Sequence, residues 1–106
     1  MLSGNDKKVF ELFSDRLHRK FPEARIWAFG SRVMGRETGE SDMDVCVVVK
    51  KLDDVIDKGI MDIAWEIGFE NDIVISTTTY SQDEFDKGSC SNSPLVQNIL
   101  EAGVPA

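Results

Sequence analysis

Apolar residues recur at regular intervals along this chain and predict a series of helices and strands. Between positions 5 and 20 they return every three or four residues, so we predict an amphipathic first helix that Pro22 terminates. The apolar run Ala24–Phe29 is short and ends at Gly30, which predicts a strand followed by a turn. Residues 31–35 are long enough for about one helical turn.

A continuous β-branched run, Asp44–Lys51, lacks polar alternation and predicts a central strand covered on both faces. Asp53 or Asp54 then caps a second helix, which we expect Gly68 to close. The segment 69–77, FENDIVIST, predicts a third strand. The apolar residues of the second helix form one buried stripe: Val55, Ile56, Ile60, Ile63, Ala64 and Ile67.

Two more helices are predicted near the end of the sequence. Ser81–Glu84 has the pattern of a capping box and predicts a short helix. Ser93 and Pro94 are residues preferred at the cap and first position of a helix, so a last helix should run to about Ala102. The glycine and proline that follow should end it.

These elements predict an α/β fold in which helices pack on one small β-sheet. If the second helix is a crossover, the second and third strands are parallel, and a mixed sheet stays open as an alternative. The 106 residues match the size of one domain, so we expect a single domain over residues 1–106.

The chain is acidic, with a net charge of −7 and a pI near 4.6. This charge argues against direct nucleic-acid binding, which needs a basic surface, and suits a basic protein partner. No apolar run approaches the roughly 20 residues of a membrane span, and the N-terminus lacks the order of a signal peptide. We therefore expect no membrane association and a cytoplasmic location.

The cysteines and the histidine do not point to a reactive site. Cys46 lies in an apolar run and Cys90 in a polar segment, so we expect two free thiols, neither within a metal-ligand spacing. His18 has no cysteine or histidine companion, and we expect it to face solvent from the first helix.

The segment Gly30–Val45, GSRVMGRETGESDMDV, concentrates glycine, arginine and carboxylates directly before the predicted central strand. Asp42 and Asp44 are two positions apart, so on a strand both carboxylates point to one face, about 6 to 7 Å apart. Asp72 enters the third predicted strand in a similar place, and adjacent strands lie about 4.8 Å apart, which predicts a third carboxylate on the same patch. Three such carboxylates can hold two Mg²⁺ ions.

An Asp-x-Asp pair alone carries little information, because eleven aspartates in 106 residues give roughly one such pair by chance. The Gly30-Ser31 turn adds to it, since its backbone N–H groups and hydroxyl can cradle phosphate oxygens; an ordinary strand-to-helix turn is the alternative. Arg32 and Arg36 either meet phosphate charge or pair with the glutamates of the same segment, and we favour surface pairing for Arg36. Walker and dinucleotide glycine motifs are absent from the sequence.

Gly30-Ser31, ten intervening residues and Asp42-x-Asp44 together resemble the signature of the DNA polymerase β-like nucleotidyltransferase superfamily. The full string GSRVMGRETGESDMDV resembles its minimal nucleotidyltransferase (MNT) branch in particular. The resemblance extends from the leading helix to the segment SPLVQNILEAGV near the end. Met34 and Asn71 differ from the residues usual in the family.

This resemblance implies a single minimal nucleotidyltransferase domain with a small mixed β-sheet, and an enzyme that moves AMP from ATP to a hydroxyl with two Mg²⁺ ions. Asp42 and Asp44 would bind both ions, while Asp72 would bind one and help to deprotonate the acceptor. The implied site residues are Gly30, Ser31 and Arg32 for the nucleotide, and Asp42, Asp44 and Asp72 for metal binding and catalysis.

The acceptor has to come from outside so small a domain. Proteins of this size in the MNT branch resemble the antitoxin of HEPN–MNT toxin–antitoxin pairs, which implies a HEPN-domain partner whose hydroxyl is modified. Two alternatives stay open: a binding module that masks the partner without catalysis, and a nucleotidyltransferase for a small hydroxylated compound such as an aminoglycoside. We also expect a homodimer or a mixed complex.

Overall fold

The computed structural model describes residues 2–35, 42–88 and 91–106, and none of the helices in these ranges is long and apolar enough to cross a membrane. In chain order, the elements are α1 (Gly4–Lys20), β1 (Arg25–Phe29), β2 (Met43–Val49), α2 (Asp54–Asn71), β3 (Ile75–Ser81), α3 (Gln82–Asp86), α4 (Pro94–Ala102) and β4 (Val104–Pro105).

One mixed sheet, with the strand order β3-β2-β1-β4, forms the centre of the fold. β1 is antiparallel to both of its neighbours, β2 and β4. β2 and β3 are parallel, because α2 crosses over the sheet between them. These findings confirm the predicted α/β fold, the parallel pair and the mixed sheet.

Helices cover both faces of the sheet, which explains why β2 shows no polar alternation. On one face, Val45 and Val47 pack with apolar residues of α1 and α2. On the other face, Cys46 and Val48 pack against Phe85 of α3 and against the buried side of α4. Because successive residues of a strand point to opposite faces, each face of β2 belongs to a different part of the core.

The predicted helix caps at Asp53, Ser81 and Ser93 are confirmed. Each side chain accepts a hydrogen bond from the backbone N–H three residues further on. Glu84 completes the capping box of α3 by accepting from the backbone N–H of Ser81, and Pro94 begins α4. Local side-chain chemistry therefore determines where these helices begin.

The predicted boundary between α2 and the third strand is wrong. α2 continues past Gly68 to Asn71, and Asp72 caps it in the left-handed conformation with φ of 56°. Gly68 allows a close approach of the backbone, because a Cβ there would collide with the carbonyl oxygen of Ile73. The N–H of Ile73 also donates a hydrogen bond to the carbonyl oxygen of Gly68. The chain thus folds back across the glycine before β3 begins at Ile75.

Two further features differ from the sequence predictions. β4 is a two-residue strand, too short to show any periodicity, and it pairs with Trp27 and Ala28 of β1. His18 is half-buried and does not simply face solvent, because its Nε2 lies 2.8 Å from the carbonyl oxygen of Ala24. This hydrogen bond ties the end of α1 to the start of β1.

The thiol of Cys46 is fully buried and free, as predicted, whereas Cys90 lies outside the described residues. Burial raises the pKa of the Cys46 thiol to about 12, and the nearby Arg25 opposes this only in part. The reactive thiolate is therefore almost absent at neutral pH, and the surrounding core blocks access to the sulfur.

In a Cys90→Ser background, we expect Cys46 to resist an aromatic disulfide reagent at about pH 8 in the native protein and to react at the rate of an ordinary thiol after unfolding. Absorbance of the released thiolate measures both rates. Native labelling as fast as labelling in guanidinium chloride would contradict the buried position.

Candidate active site

The antiparallel pairing of β1 with β2 brings the Gly-Ser turn to the carboxylate pair. In this pairing Phe29 lies opposite Asp44, so Gly30 follows directly beside the start of β2. Gly30 has φ of 84°, which glycine adopts without strain. A Cβ at this position would collide with Oδ2 of Asp44, so only glycine lets the backbone lie against that carboxylate.

The residues after Gly30 form the single helical turn that the sequence predicts. The N–H of Met34 donates to the carbonyl of Gly30 at 3.1 Å, and Gly35, with φ of 72°, ends the turn. Ser31 is half-buried at the beginning of this turn. The N-terminal end of a helical turn is a common place for phosphate binding in proteins.

Asp42 and Asp44 lie at the start of β2, where Asp42 is exposed and Asp44 is half-buried. Burial raises the pKa of Asp44, and the negative charge of Asp42 raises it further. The charge of Asp42 therefore adds to the cost of ionising Asp44 in the protein alone. A cation between them would remove that repulsion.

Asp72 does not lie at the start of β3, where the sequence predicts it. The β3 residue opposite Asp44 is Ser76, four positions after Asp72, which corresponds to at most about 13 Å along an extended strand. The expectation that Asp72 enters β3 as Asp44 enters β2 is wrong, because Asp72 caps α2 instead. In residues 2–35, 42–88 and 91–106 no three acidic, histidine or cysteine side chains group as a metal site. The ligand role of Asp72 stays a prediction.

Arg32 forms an ion pair that the sequence did not reveal. Its Nη1 donates to Oδ1 of Asp6 at 2.7 Å, and the two side chains are only 11% and 3% exposed. Asp6 lies in the first turn of α1, and the side chain of Ser3 caps this helix by accepting a hydrogen bond from the N–H of Asp6. The Ser-x-x-Asp sequence therefore indicates the start of a helix but not the ion pair with Arg32. The pair fastens the turn after Ser31 to α1.

The other predicted pairing partners of the arginines, Glu37 and Glu40, lie with Arg36 outside the described residues. The nucleotide-binding role predicted for Gly30, Ser31 and Arg32 stays a prediction.

The residues present fit a magnesium ion that is bound together with a nucleotide. Mg²⁺ in phosphate-transfer sites is typically held by one or two carboxylates, with phosphate oxygens and water as the remaining ligands. Asp42 and Asp44 would supply the carboxylates, and the Gly30-Ser31 turn that would face the phosphates lies directly against Asp44. If two ions bind, as the family resemblance implies, the triphosphate would have to supply more of the metal ligands than it does for a single ion.

A mixed α/β sheet that presents a glycine turn against paired carboxylates defines a candidate nucleotide-binding transferase. The model of the nucleotidyltransferase domain family matches residues 11–104, nearly the whole chain. The chain therefore belongs to the nucleotidyltransferase domain family, as its signature predicts.

Solved structures with the same fold come from toxin–antitoxin systems. A toxin–antitoxin crystal structure with AMP-PNP aligns over 88% of this chain and 68% of its own, with a TM-score of 0.61 and 21% identity. Two MntA-HpeT toxin–antitoxin mutants align over 93% and 98% of this chain and 69% and 72% of theirs, with TM-scores of 0.58 and identities of 19% and 20%. At these identities the likeness shows a shared fold. No curated protein sequence matches the chain.

We expect Asp6→Ala to lower the free energy of unfolding by about 3 to 5 kcal/mol, because it removes the carboxylate of a buried ion pair with Arg32. Denaturant titration measures the loss. Asp15→Ala, at an exposed position of the same helix, is the matched control and should change stability little. Equal losses in the two variants would contradict a structural role for the pair.

We expect Asp44→Asn to stabilise the metal-free protein at neutral pH. The pKa of Asp44 is raised in the folded chain, so ionisation costs stability above that pKa, and the cost disappears as the pH falls through it. Thermal unfolding in a chelating buffer should show a higher Tm for the variant, with a difference that shrinks towards pH 4. Mg²⁺ should raise the Tm of the wild type more than that of the variant. A lower Tm for the variant at pH 7 would be the opposite result.

Proposed function

We propose that this protein is a Mg²⁺-dependent nucleotidyltransferase that moves AMP from ATP to a hydroxyl of a HEPN-domain toxin, acting as the antitoxin of the pair. The observation that carries the proposal is the contact between the Gly30 backbone and the Asp44 carboxylate. It sets a turn suited to phosphates directly beside a carboxylate pair suited to a cation. Nucleotide and metal bind such a site together, since the phosphate oxygens are ligands of the cation and the cation neutralises part of their charge.

Each residue of the site has a separate task in this proposal. The N–H groups of the Gly30-Ser31 turn, with the Ser31 hydroxyl, hold phosphate oxygens in one orientation. Asp42 and Asp44 hold the cation at the same phosphates. Arg32, fixed by Asp6, keeps the turn in place and contributes positive charge close to the nucleotide. Bound Mg²⁺ would neutralise phosphate charge and lower the pKa of the acceptor hydroxyl.

The transfer itself is an in-line displacement. The acceptor oxygen forms a bond to the α-phosphorus, and the bond from that phosphorus to the oxygen bridging to the β-phosphate breaks. Pyrophosphate leaves with the electron pair of the broken bond. The hydroxyl proton passes to a carboxylate, the task that the family resemblance gives to Asp72.

The partner class is inferred from the similar structures. One of them holds AMP-PNP, and another is a mutant in which two aspartates, two positions apart, are replaced by glutamates. Both are toxin–antitoxin structures, which supports a toxin as the partner of this chain. The net charge of −7 is complementary to a basic partner. A cytoplasmic location, where ATP is available, belongs to the same proposal.

We expect the wild type, incubated with ATP, Mg²⁺ and the toxin encoded in the adjacent reading frame, to increase the mass of that toxin by one or more AMP units. The double variant Asp42→Asn, Asp44→Asn should reduce the rate by about 100-fold or more, because it removes both cation ligands. Asp15→Asn, at an exposed aspartate of α1, is the matched control and should retain the rate. Intact-protein mass spectrometry measures all three.

The outcomes separate the proposal from its alternatives. If the double Asn variant protects cells from the toxin as well as the wild type does, the chain acts as a masking module. If the toxin stays unmodified but pyrophosphate is released when an aminoglycoside is added as the acceptor, the chain is a small-molecule nucleotidyltransferase. The single variant Asp72→Asn tests whether Asp72 is the third metal ligand. A loss of transfer rate as large as that of Asp44→Asn indicates a ligand, and a loss below about tenfold indicates that it is not one.

A further inference from the structure

α2 carries a row of large apolar side chains on the side that faces away from the core. Met61, Trp65 and Phe69 follow one another at intervals of four residues and are 54%, 69% and 76% exposed. The rings of Trp65 and Phe69 stack with their centroids 5.3 Å apart and their planes 10° apart. We call Met61, Trp65 and Phe69 the aromatic stripe. It is a preformed apolar surface, and such surfaces mark interaction sites.

β3, at the edge of the sheet, lies beside the aromatic stripe and offers unpaired backbone groups. The N–H of Met43 donates to the carbonyl of Val74, so residue 74 and every second residue after it face β2. The backbone groups of Ile75, Thr77 and Thr79 therefore point outward from the sheet. A row of this kind pairs readily with another extended chain.

The aromatic stripe and the edge of β3 line one groove of about 440 Å³, and the groove ends at the candidate active site. Val74, Ile75 and Thr77 line it, and so does Asp42, one of the two carboxylates of the candidate active site. A chain lying in this groove would thus reach the carboxylate pair that is proposed to hold the cation. This continuity distinguishes the groove from an apolar patch at an arbitrary place on the surface.

Asp42 is the charged residue that lines the groove. Further carboxylates lie elsewhere on α2: Asp62, Glu66 and Glu70 each follow a residue of the aromatic stripe, and Asp72 caps the helix. Among the described residues, two basic side chains neutralise part of this charge. Lys58 forms an ion pair with Asp62, and Arg16 forms ion pairs with Glu66 and Glu70. A second copy of the chain would set like charges against each other here, whereas a basic segment is attracted.

From these contacts we infer that the groove is the acceptor site. An extended segment of the partner protein, both basic and apolar, pairs with β3 as an added strand and packs on the aromatic stripe. In this position the segment presents its hydroxyl to Asp42 and Asp44. The inference rests on the proposed function, because it assigns the acceptor of that reaction. A paired strand also explains how one hydroxyl of a whole protein is held in a fixed position.

Kinetics of AMP transfer to the adjacent-frame toxin test the aromatic stripe. The double variant Trp65→Ala, Phe69→Ala should raise KM for the toxin by about tenfold or more, with the Kd for ATP unchanged within about twofold. Val55→Ala, at an 81% exposed apolar position of α2 outside the groove, is the matched control and should leave KM unchanged. Equal KM values for the double variant and the control would overturn the inference.

Hydrogen exchange tests the added strand without relying on catalysis. In the free protein, the amides of Thr77 and Thr79 should exchange faster than those of Ser76 and Thr78, which face β2. Addition of the toxin should slow exchange at Thr77 and Thr79 by about tenfold or more. If the toxin binds without slowing these two amides, or if they are already protected by self-association, the groove has another use and the inference is wrong.

The two proposals fail in different ways. If the wild type leaves the toxin unmodified but the toxin still protects Thr77 and Thr79, the groove is a docking site and the transferase proposal is wrong. If the wild type modifies the toxin and the aromatic-stripe variant does so with the same KM, the transferase proposal stands and the groove assignment is wrong. Absence of any binding overturns the inference.

Discussion

The antiparallel pairing of β1 with β2 is the constraint on which the candidate site depends. It sets the end of one strand beside the start of the other, so that Gly30 and Asp44 lie next to each other although they are fourteen positions apart in the sequence. The remaining elements hold this junction in place: α1 and α2 fill one face of the sheet, and α3 and α4 fill the other. Loss of the pairing would separate the Gly30-Ser31 turn from the carboxylates, even with every site residue intact.

The same junction has a cost in stability, which is typical of functional sites. Asp44 is half-buried next to another carboxylate, and its raised pKa shows that the folded chain disfavours its charge. Asp6 and Arg32 add a buried ion pair, and Oδ2 of Asp6 has no hydrogen-bond partner among the described residues. Both arrangements place charge where an apolar core would not need it, and both lie at the part of the fold that is proposed to bind nucleotide and metal.

Sequence patterns predicted the elements well where local chemistry determines them. The caps at Asp53, Ser81 and Ser93, the core strand β2 and the Gly-Ser turn all depend on residues close together in the chain. The patterns were insufficient where distant segments decide the structure. The position of Asp72 depends on how the chain folds back over Gly68, and the pairing of Arg32 with Asp6 joins residues that no spacing rule connects. For the same reason the groove beside β3 was not predicted, since it needs both the strand order and the exposed side of α2.

β4 adds a consequence for the order in which the molecule assembles. Its two residues pair with Trp27 and Ala28, more than seventy positions earlier, and the N–H of Ala106 donates to the carbonyl of Ile26. During synthesis on the ribosome, β1 therefore leaves the exit tunnel long before its second neighbour exists. Until β4 has been synthesised, β1 has an open edge. The strand that leads into the Gly30-Ser31 turn is therefore completed last.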